Sequence, residues 1–347
     1  PGLTGGTNEN YAREIMQLFA IGLTMLNQDG TPMLDANNQT IPTYSQAMVA
    51  QVALALTGWT YPTAAGANPG LNNWENFSQP MMEVREQNHD TTAKNLLNGC
   101  VIPAGNTVMQ ATNAVVDCVF NHPNTGPFVV TRLIRDIVMS NPSPAYVQRV
   151  VNVWNNNGAG VKGDLKAVLT AILMDSEARN DSATVTGGRL KDSIYEITGF
   201  IRQMNGFLAP QNIWLWEFTK MGQSPMTPPS VFGFYPMLYR MPKSPLFGPE
   251  FQTYSPTEAV LRGNFIYNLI LNPNGSDLKI DRAPFNAVAA DPNALIDLAN
   301  AKLLYGRMPQ AMKTSLATAM ATATDNNQRV ETVLYLTALS GFYQVQF

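Results

Sequence analysis

Asn8-Glu-Asn-Tyr-Ala-Arg-Glu-Ile-Met-Gln-Leu-Phe-Ala-Ile-Gly22 is the stretch from which the rest of the chain can be read. Tyr11, Ile15, Leu18 and Phe19 recur at the spacing of one helical face, which predicts an amphipathic helix. Thr7 or Asn8 can cap its first amides. Glu9 sits where a carboxylate meets the positive end of the helix dipole, and Gly22 is a natural stop. Glu9 and Arg13 are four residues apart, as are Asn10 and Glu14, so these side chains can meet along the helix. Two readings are open. One is a solvated face with an ordinary ion pair. The other is a site in which Glu9 and Glu14 act as paired carboxylates in a cleft and Arg13 holds an anionic group. Three charges within six residues are notable in a chain where charged residues make up 14%. A surface pair four residues apart contributes only about 0.3–0.5 kcal/mol. We therefore expect Glu9 and Arg13 to be substantially buried, with at least one of them paired outside its own helix.

Further helical patterns run over 44–59, 108–120, 128–139, 164–178, 191–204, 255–271, 290–304 and 310–339, with another starting at Ser143. In that last one, Val147, Val150, Val151 and Trp154 form the buried side. A short helix is expected from Asp90, as N-cap, through Lys94 to Leu97. Residues 60–88 are rich in Gly, Pro and Asn, and weak alternation over 77–86 allows a small hairpin. Residues 206–256 carry dense prolines and rings, which predicts an extended loop pinned by its aromatics and no regular helix. The fold expected is mainly α: a multi-helix array with long Pro- and aromatic-rich loops and at most a small β-hairpin. It reads as one large helical domain over 1–347, with a candidate sub-boundary at 180–188.

Composition narrows the function classes. The chain has 347 residues, 45% of them hydrophobic, and a net charge of −3. Charged residues fall well below the roughly 25% of typical soluble domains, and Asn, Gln, Ser and Thr take their place. No basic run exists, which argues against nucleic-acid partners. No apolar stretch is long enough for a membrane span.

Two histidines, His89 and His122, are too few for an ordinary zinc enzyme, and neither HExxH nor a cysteine-pair motif is present, so no metal site is assigned. No G-x-S-x-G, G-x-G-x-x-G or Walker loop occurs, and no motif names a cofactor. His89-Asp90 follows the long irregular segment. An imidazole beside a carboxylate suits a general base, although Asp90 can equally serve as a cap. His122 before Pro123 reads as structural. Trp59, Tyr61 and Trp74 cluster around the long loop, either as stacking surfaces for sugar rings or as anchors of the loop itself.

Several of these motifs carry a resemblance. Asn8-Glu-Asn-Tyr-Ala-Arg-Glu14, Leu56-Thr-Gly-Trp59, His89-Asp90 with Lys94 and Gly99, Ser140-Asn-Pro-Ser-Pro-Ala-Tyr146, Gly163-Asp-Leu165 and Pro228-Pro-Ser-Val-Phe232 resemble, in order, the bacterial family called domain of unknown function 1800. The resemblance brings no activity with it. It implies export across the inner membrane, hence a secreted, periplasmic or cell-surface location. It suggests a protein of the domain of unknown function 1501 family as partner. Family members usually carry a long helical segment before the Asn-Glu-Asn-Tyr motif, so this chain is expected to be the C-terminal part of a longer product. The missing N-terminal fragment is then a second candidate partner. In an exported chain, two isolated cysteines flanking one loop and helix, Cys100 and Cys118, favour a disulfide, worth roughly 3 kcal/mol.

Three functions remain from the sequence. The first is a hydrolase-like exported enzyme using Glu9, Arg13, Glu14, His89 and Asp90. The second is a non-catalytic extracellular or cell-surface assembly protein. The third is a carbohydrate-binding module using Trp59, Tyr61 and Trp74. Convergence of Glu9, Arg13, Glu14 and His89 on one cleft would favour the enzyme.

Overall fold

The computed structural model describes residues 7–73, 81–180, 187–209, 213–275 and 277–346, the side chains of residues 208 and 213–215 excepted. The fold is mainly α, with small two-stranded antiparallel pairs between the helices. The chain packs as two compact units: Pro1–Leu133 with Ser143–Ile172, and Ile134–Pro142 with Leu173–Phe347.

The first unit opens with α1 (Asn10–Arg13), which passes directly into a π-helical stretch, Glu14–Ala20. The amides of Ile21 and Gly22 both reach back to the Met16 carbonyl, at 2.9 and 3.0 Å. Widening the turn changes which side chains face inward. Ala12, Met16, Ala20 and Ile21 are buried, whereas Tyr11 and Phe19 are 65% and 64% exposed. The expected stripe is therefore out of phase from its first member, since Ala12 and not Tyr11 faces inward, and the wider turns after Arg13 keep Met16 and Ala20 on the buried side with Phe19 outward. Gly22 does end the element. Its φ is +69°, and a Cβ there would collide with the Phe128 ring.

Next comes α2 (Gln46–Ala55), capped by the Ser45 hydroxyl. Strand β1 (Trp59–Thr60) pairs with β2 (Glu83–Val84). The expected hairpin within 77–86 is thus replaced, in its described part, by pairing with residues before the long loop. Strand β3 (Lys94–Asn95) pairs with β4 (Val101–Ile102), where a helix was expected. The physical reason is local: the Asp90 carboxylate accepts from the amide and hydroxyl of Thr92, closing a turn instead of capping a helix. Helix α3 (Val108–Asn121) starts with a Thr107–Gln110 capping box. It is followed by α4 (Thr125–Ile137), α5 (Pro144–Asn155) and α6 (Leu165–Met174). Val147, Val150, Val151 and Trp154 are all buried on α5, as their spacing requires.

Cys100 and Cys118 form a disulfide that ties the β3–β4 loop to α3, with Cα atoms 6.0 Å apart, within the ordinary range for a bridge. Alkylation of the native, non-reduced protein followed by intact mass measurement should show no label, and reduction first should add two. Two labels without reductant would contradict the bridge.

The second unit runs from β5 (Arg189–Leu190) and α7 (Ser193–Gln203) through β6 (Phe207–Leu208) to α8 (Ile213–Lys220). Helix α8 corrects the expectation of a helix-free belt over 206–256: it occupies the proline-free window between Pro210 and Pro225. After a long irregular segment, α9 (Pro256–Leu271), β7 (Leu278–Lys279), α10 (Ala283–Val288), α11 (Pro292–Leu303), α12 (Gln310–Met320), α13 (Asn326–Ala338), α14 (Gly341–Gln344) and β8 (Val345–Gln346) complete it. Helices α9 to α13 bury one apolar core, including Ile266, Leu295, Leu316 and Val333. The last strand pairs back onto β5.

Candidate functional site

Glu9 and Arg13 meet at 2.7 Å, and Gln46, at the start of α2, joins both. Its amide nitrogen donates to the Glu9 carboxylate at 2.8 and 3.0 Å, and its oxygen accepts from Arg13 at 2.5 Å. The triangle links α1 to α2, as the expected pairing outside the helix requires. It is not substantially buried, since 29% of the Glu9 and 40% of the Arg13 side chain remain exposed. The hydrogen bond from Gln46, then that from Arg13, lowers the Glu9 pKa. Glu14 lies half-buried in the π turn and takes no part in the triangle.

His89 sits beyond the other end of α2. Its Nδ1 lies 2.9 Å from the Thr57 carbonyl and 3.2 Å from the Thr57 hydroxyl. That hydroxyl already donates to the Leu54 carbonyl and accepts the Asp90 amide. The imidazole therefore donates at Nδ1. Its Nε2 lies 2.8 Å from Asn106 Oδ1. The Asn106 amide nitrogen faces two carbonyls, Thr92 at 3.3 Å and Pro103 at 2.7 Å, which fixes its oxygen toward the ring. Both ring nitrogens thus face acceptors.

Asp90 is equally engaged. Besides Thr92 it receives Lys94 Nζ at 3.1 Å, and the Thr92 hydrogen bond is the largest effect lowering its pKa. Lys94 is fully buried and also donates to the carbonyls of Asp90 at 2.6 Å and Thr92 at 2.8 Å. His89, Asp90, Lys94, Asn106 and Thr57 form one cross-linked knot. Gln46 and Thr57 stand eleven positions apart along and just past α2, roughly 16 Å at the helical rise. The structure therefore holds Glu9 and Arg13 together, and His89 and Asp90 together, at opposite ends of one helix.

The rings around the long loop are less concentrated. The Trp59 indole N–H donates to the Thr112 hydroxyl on α3 at 2.9 Å, which anchors it. Tyr61 is half-buried. Trp74 lies outside the described residues.

Comparison with known proteins adds the family. The family model described as "Protein of unknown function (DUF1800)" matches residues 3–345. The chain belongs to this family. No curated protein and no solved structure matches it.

This DUF1800 chain also holds a polar network that sequence reasoning missed, in the second unit. Arg262 on α9 and Glu196 on α7 are both fully buried and lie 3.3 Å apart. Arg262 also donates to the carbonyls of Lys191 and Thr253, and its guanidinium lies over the Tyr254 ring. Burial pushes the Glu196 carboxyl up, and Arg262 opposes that shift. The Lys191 amine, packed over the Tyr343 ring, is pushed down to about 8, chiefly by burial. Close by in sequence, Arg189 pairs with buried Glu250 at 2.8 Å, and the Tyr235 hydroxyl donates to Asp192. The signal that could have found Glu196 is its phase: it shares the helical face of Ser193, Ile197 and Phe200, all buried. A carboxylate on a core face needs a buried cation, and Arg262 occupies the matching inward position on α9, beside Gly263 and Ile266.

Proposed function

We propose that this DUF1800 chain is an exported, non-catalytic assembly protein whose sequence-marked polar residues serve as internal ties. The observation that carries this reading is that both His89 ring nitrogens lie within hydrogen-bonding distance of neighbouring protein groups, Nδ1 at Thr57 and Nε2 at Asn106, so the ring ties the segment after α2 to the segment before α3. The engagement of Asp90 Oδ1 by Thr92 and Lys94 supports it. So does the separation of His89 from the Glu9–Arg13 pair. A disulfide is compatible with an oxidising compartment outside the cytoplasm. None of the described helices is long and apolar enough to cross a membrane. A candidate partner is a protein of the domain of unknown function 1501 family.

The test compares the parent with His89→Gln across ester, peptide and glycoside substrates, alongside thermal melting and cross-linking in the exported fraction. We expect His89→Gln to lower the melting temperature, no turnover that depends on His89, and a stoichiometric cross-linked partner. Hydrolysis abolished by His89→Gln with melting unchanged would overturn the reading in favour of the hydrolase-like one.

A further inference from the structure

The segment between α8 and α9 is an exposed apolar surface flanked by cations. Met226 is 94% exposed, and Val231, Phe232 and Leu238 are each more than half exposed. These side chains stand outward because the inward positions of the same segment are taken. The Tyr235 hydroxyl is held by Asp192, the carboxylate cap of α7. Phe247 is clamped at its root: the Asn141 side chain bonds both its backbone amide and its carbonyl, at 2.9 and 2.8 Å. The guanidinium groups of Arg135 and Arg240 cover its ring at 4.3 and 4.5 Å. The root is fixed while the apolar tips on either side of Tyr235 stay in water.

Two further features accompany the tips. No carboxylate occurs from Phe218 to Pro249, whereas Lys220, Arg240 and Lys243 do, in a chain whose net charge is −3. Lys220 is paired with Glu217, and the other cations of the segment are Arg240, which lies over the Phe247 ring and donates to the Pro245 carbonyl at 2.6 Å while remaining exposed, and exposed Lys243. In addition, Met226 and Lys243 are held at φ +63° and +62°. Asn38, Asn98 and Asn205 also have positive φ, which asparagine tolerates, and Tyr305 lies at +52° outside this segment. For methionine and lysine the conformation is costly, and such strain persists where surrounding structure and use require it. Met226 and Lys243, two of the three such residues other than asparagine among the described residues, lie at exposed turns of this one segment.

From this we infer that the segment 226–243 is an interfacial docking surface for an anionic lipid bilayer, with Met226, Val231, Phe232 and Leu238 entering the headgroup–acyl boundary and Arg240 and Lys243 meeting the lipid phosphates. Large apolar tips and cations in one segment whose own sequence carries no carboxylate are the pattern that binds an anionic apolar interface. The attachment is peripheral and does not depend on whether the chain is an enzyme or an assembly protein.

Co-sedimentation of the full chain with vesicles of phosphatidylcholine alone, and of phosphatidylcholine with 30% phosphatidylglycerol, tests this. The expected result is binding to the anionic vesicles that weakens as salt is raised. Arg240→Gln and Lys243→Gln should each weaken it about fivefold. The double variant Phe232→Ser/Leu238→Ser should abolish it while melting like the parent, since both side chains are exposed. Failure of the parent to sediment with anionic vesicles would overturn the proposal, as would undiminished binding by the serine variant. A stoichiometric protein complex that the serine variant loses, formed while vesicles are ignored, would make the surface a protein interface instead.

Discussion

Replacing Arg262 by Met should lower the melting temperature by about 10 °C, the largest effect expected of any single substitution in this chain. Arg262 and Glu196 are both fully buried, so removing the guanidinium leaves the Glu196 carboxyl, among the described residues, with only the Gln344 amide at 3.4 Å and the charge of Lys191, which no ion pair holds against it. Stranding one partner of a buried pair costs about 3–5 kcal/mol. For a unit of this size each kcal/mol corresponds to about 2–4 °C. The carbonyls of Lys191 and Thr253 lose their donors at the same time. The double variant Arg262→Met/Glu196→Gln removes the stranded charge and should recover much of the loss. The two substitutions are therefore expected to be strongly non-additive. Equal melting of the parent and the single variant, or simple addition in the double, would show that the pair is not coupled.

Lys94→Met should have an effect of similar size in the first unit. The ammonium group is buried and donates to three oxygens, two of them main-chain carbonyls of its own loop. Methionine fills the space but offers no donor. The Asp90 and Thr92 carbonyls then lose a charged partner, and the Asp90 carboxylate keeps only Thr92. The expected cost is about 3–5 kcal/mol, partly relieved because the Asp90 side chain is 28% exposed and can recruit water. Melting followed by circular dichroism measures it. A shift no larger than that of an exposed lysine variant would show that the loop leading into β3 does not depend on its buried cation.

How far the sequence could be read depended on whether the relevant interaction was local. On α5 the buried stripe and the Ser143 cap are both set within the element, and both were legible. At α1 the polar partners were legible, but the apolar phase was not. Ala12 already faces the core of the first unit in place of Tyr11, and the π stretch from Glu14 to Ala20 sets the phase of the residues that follow. Asp90 offered the same local signature whether it capped a helix or closed a turn at Thr92, and the outcome depended on Lys94 and Asn106, both of which are buried by neighbours. The pairing of Glu196 with Arg262 spans 66 positions and two helices, so no local pattern could join them. The cysteine bridge was legible because compartment and count constrain it, with little need of geometry.

The role of the His89 loop is the point on which the functional reading turns. Loops that open over substrates come from the least stable part of a structure, and their amides exchange quickly. If His89, Asp90, Lys94 and Asn106 are internal ties, the amides they organise are protected. Native-state hydrogen exchange resolved at Asp90, Leu96 and Gly105, whose amides bond Thr57 Oγ1 and the carbonyls of Cys100 and Thr91, measures this directly. The expected result is protection comparable to that of the core amides of α2. Exchange of all three as fast as in an unstructured peptide would contradict the account and return His89 and Asp90 to the status of a mobile, potentially catalytic loop.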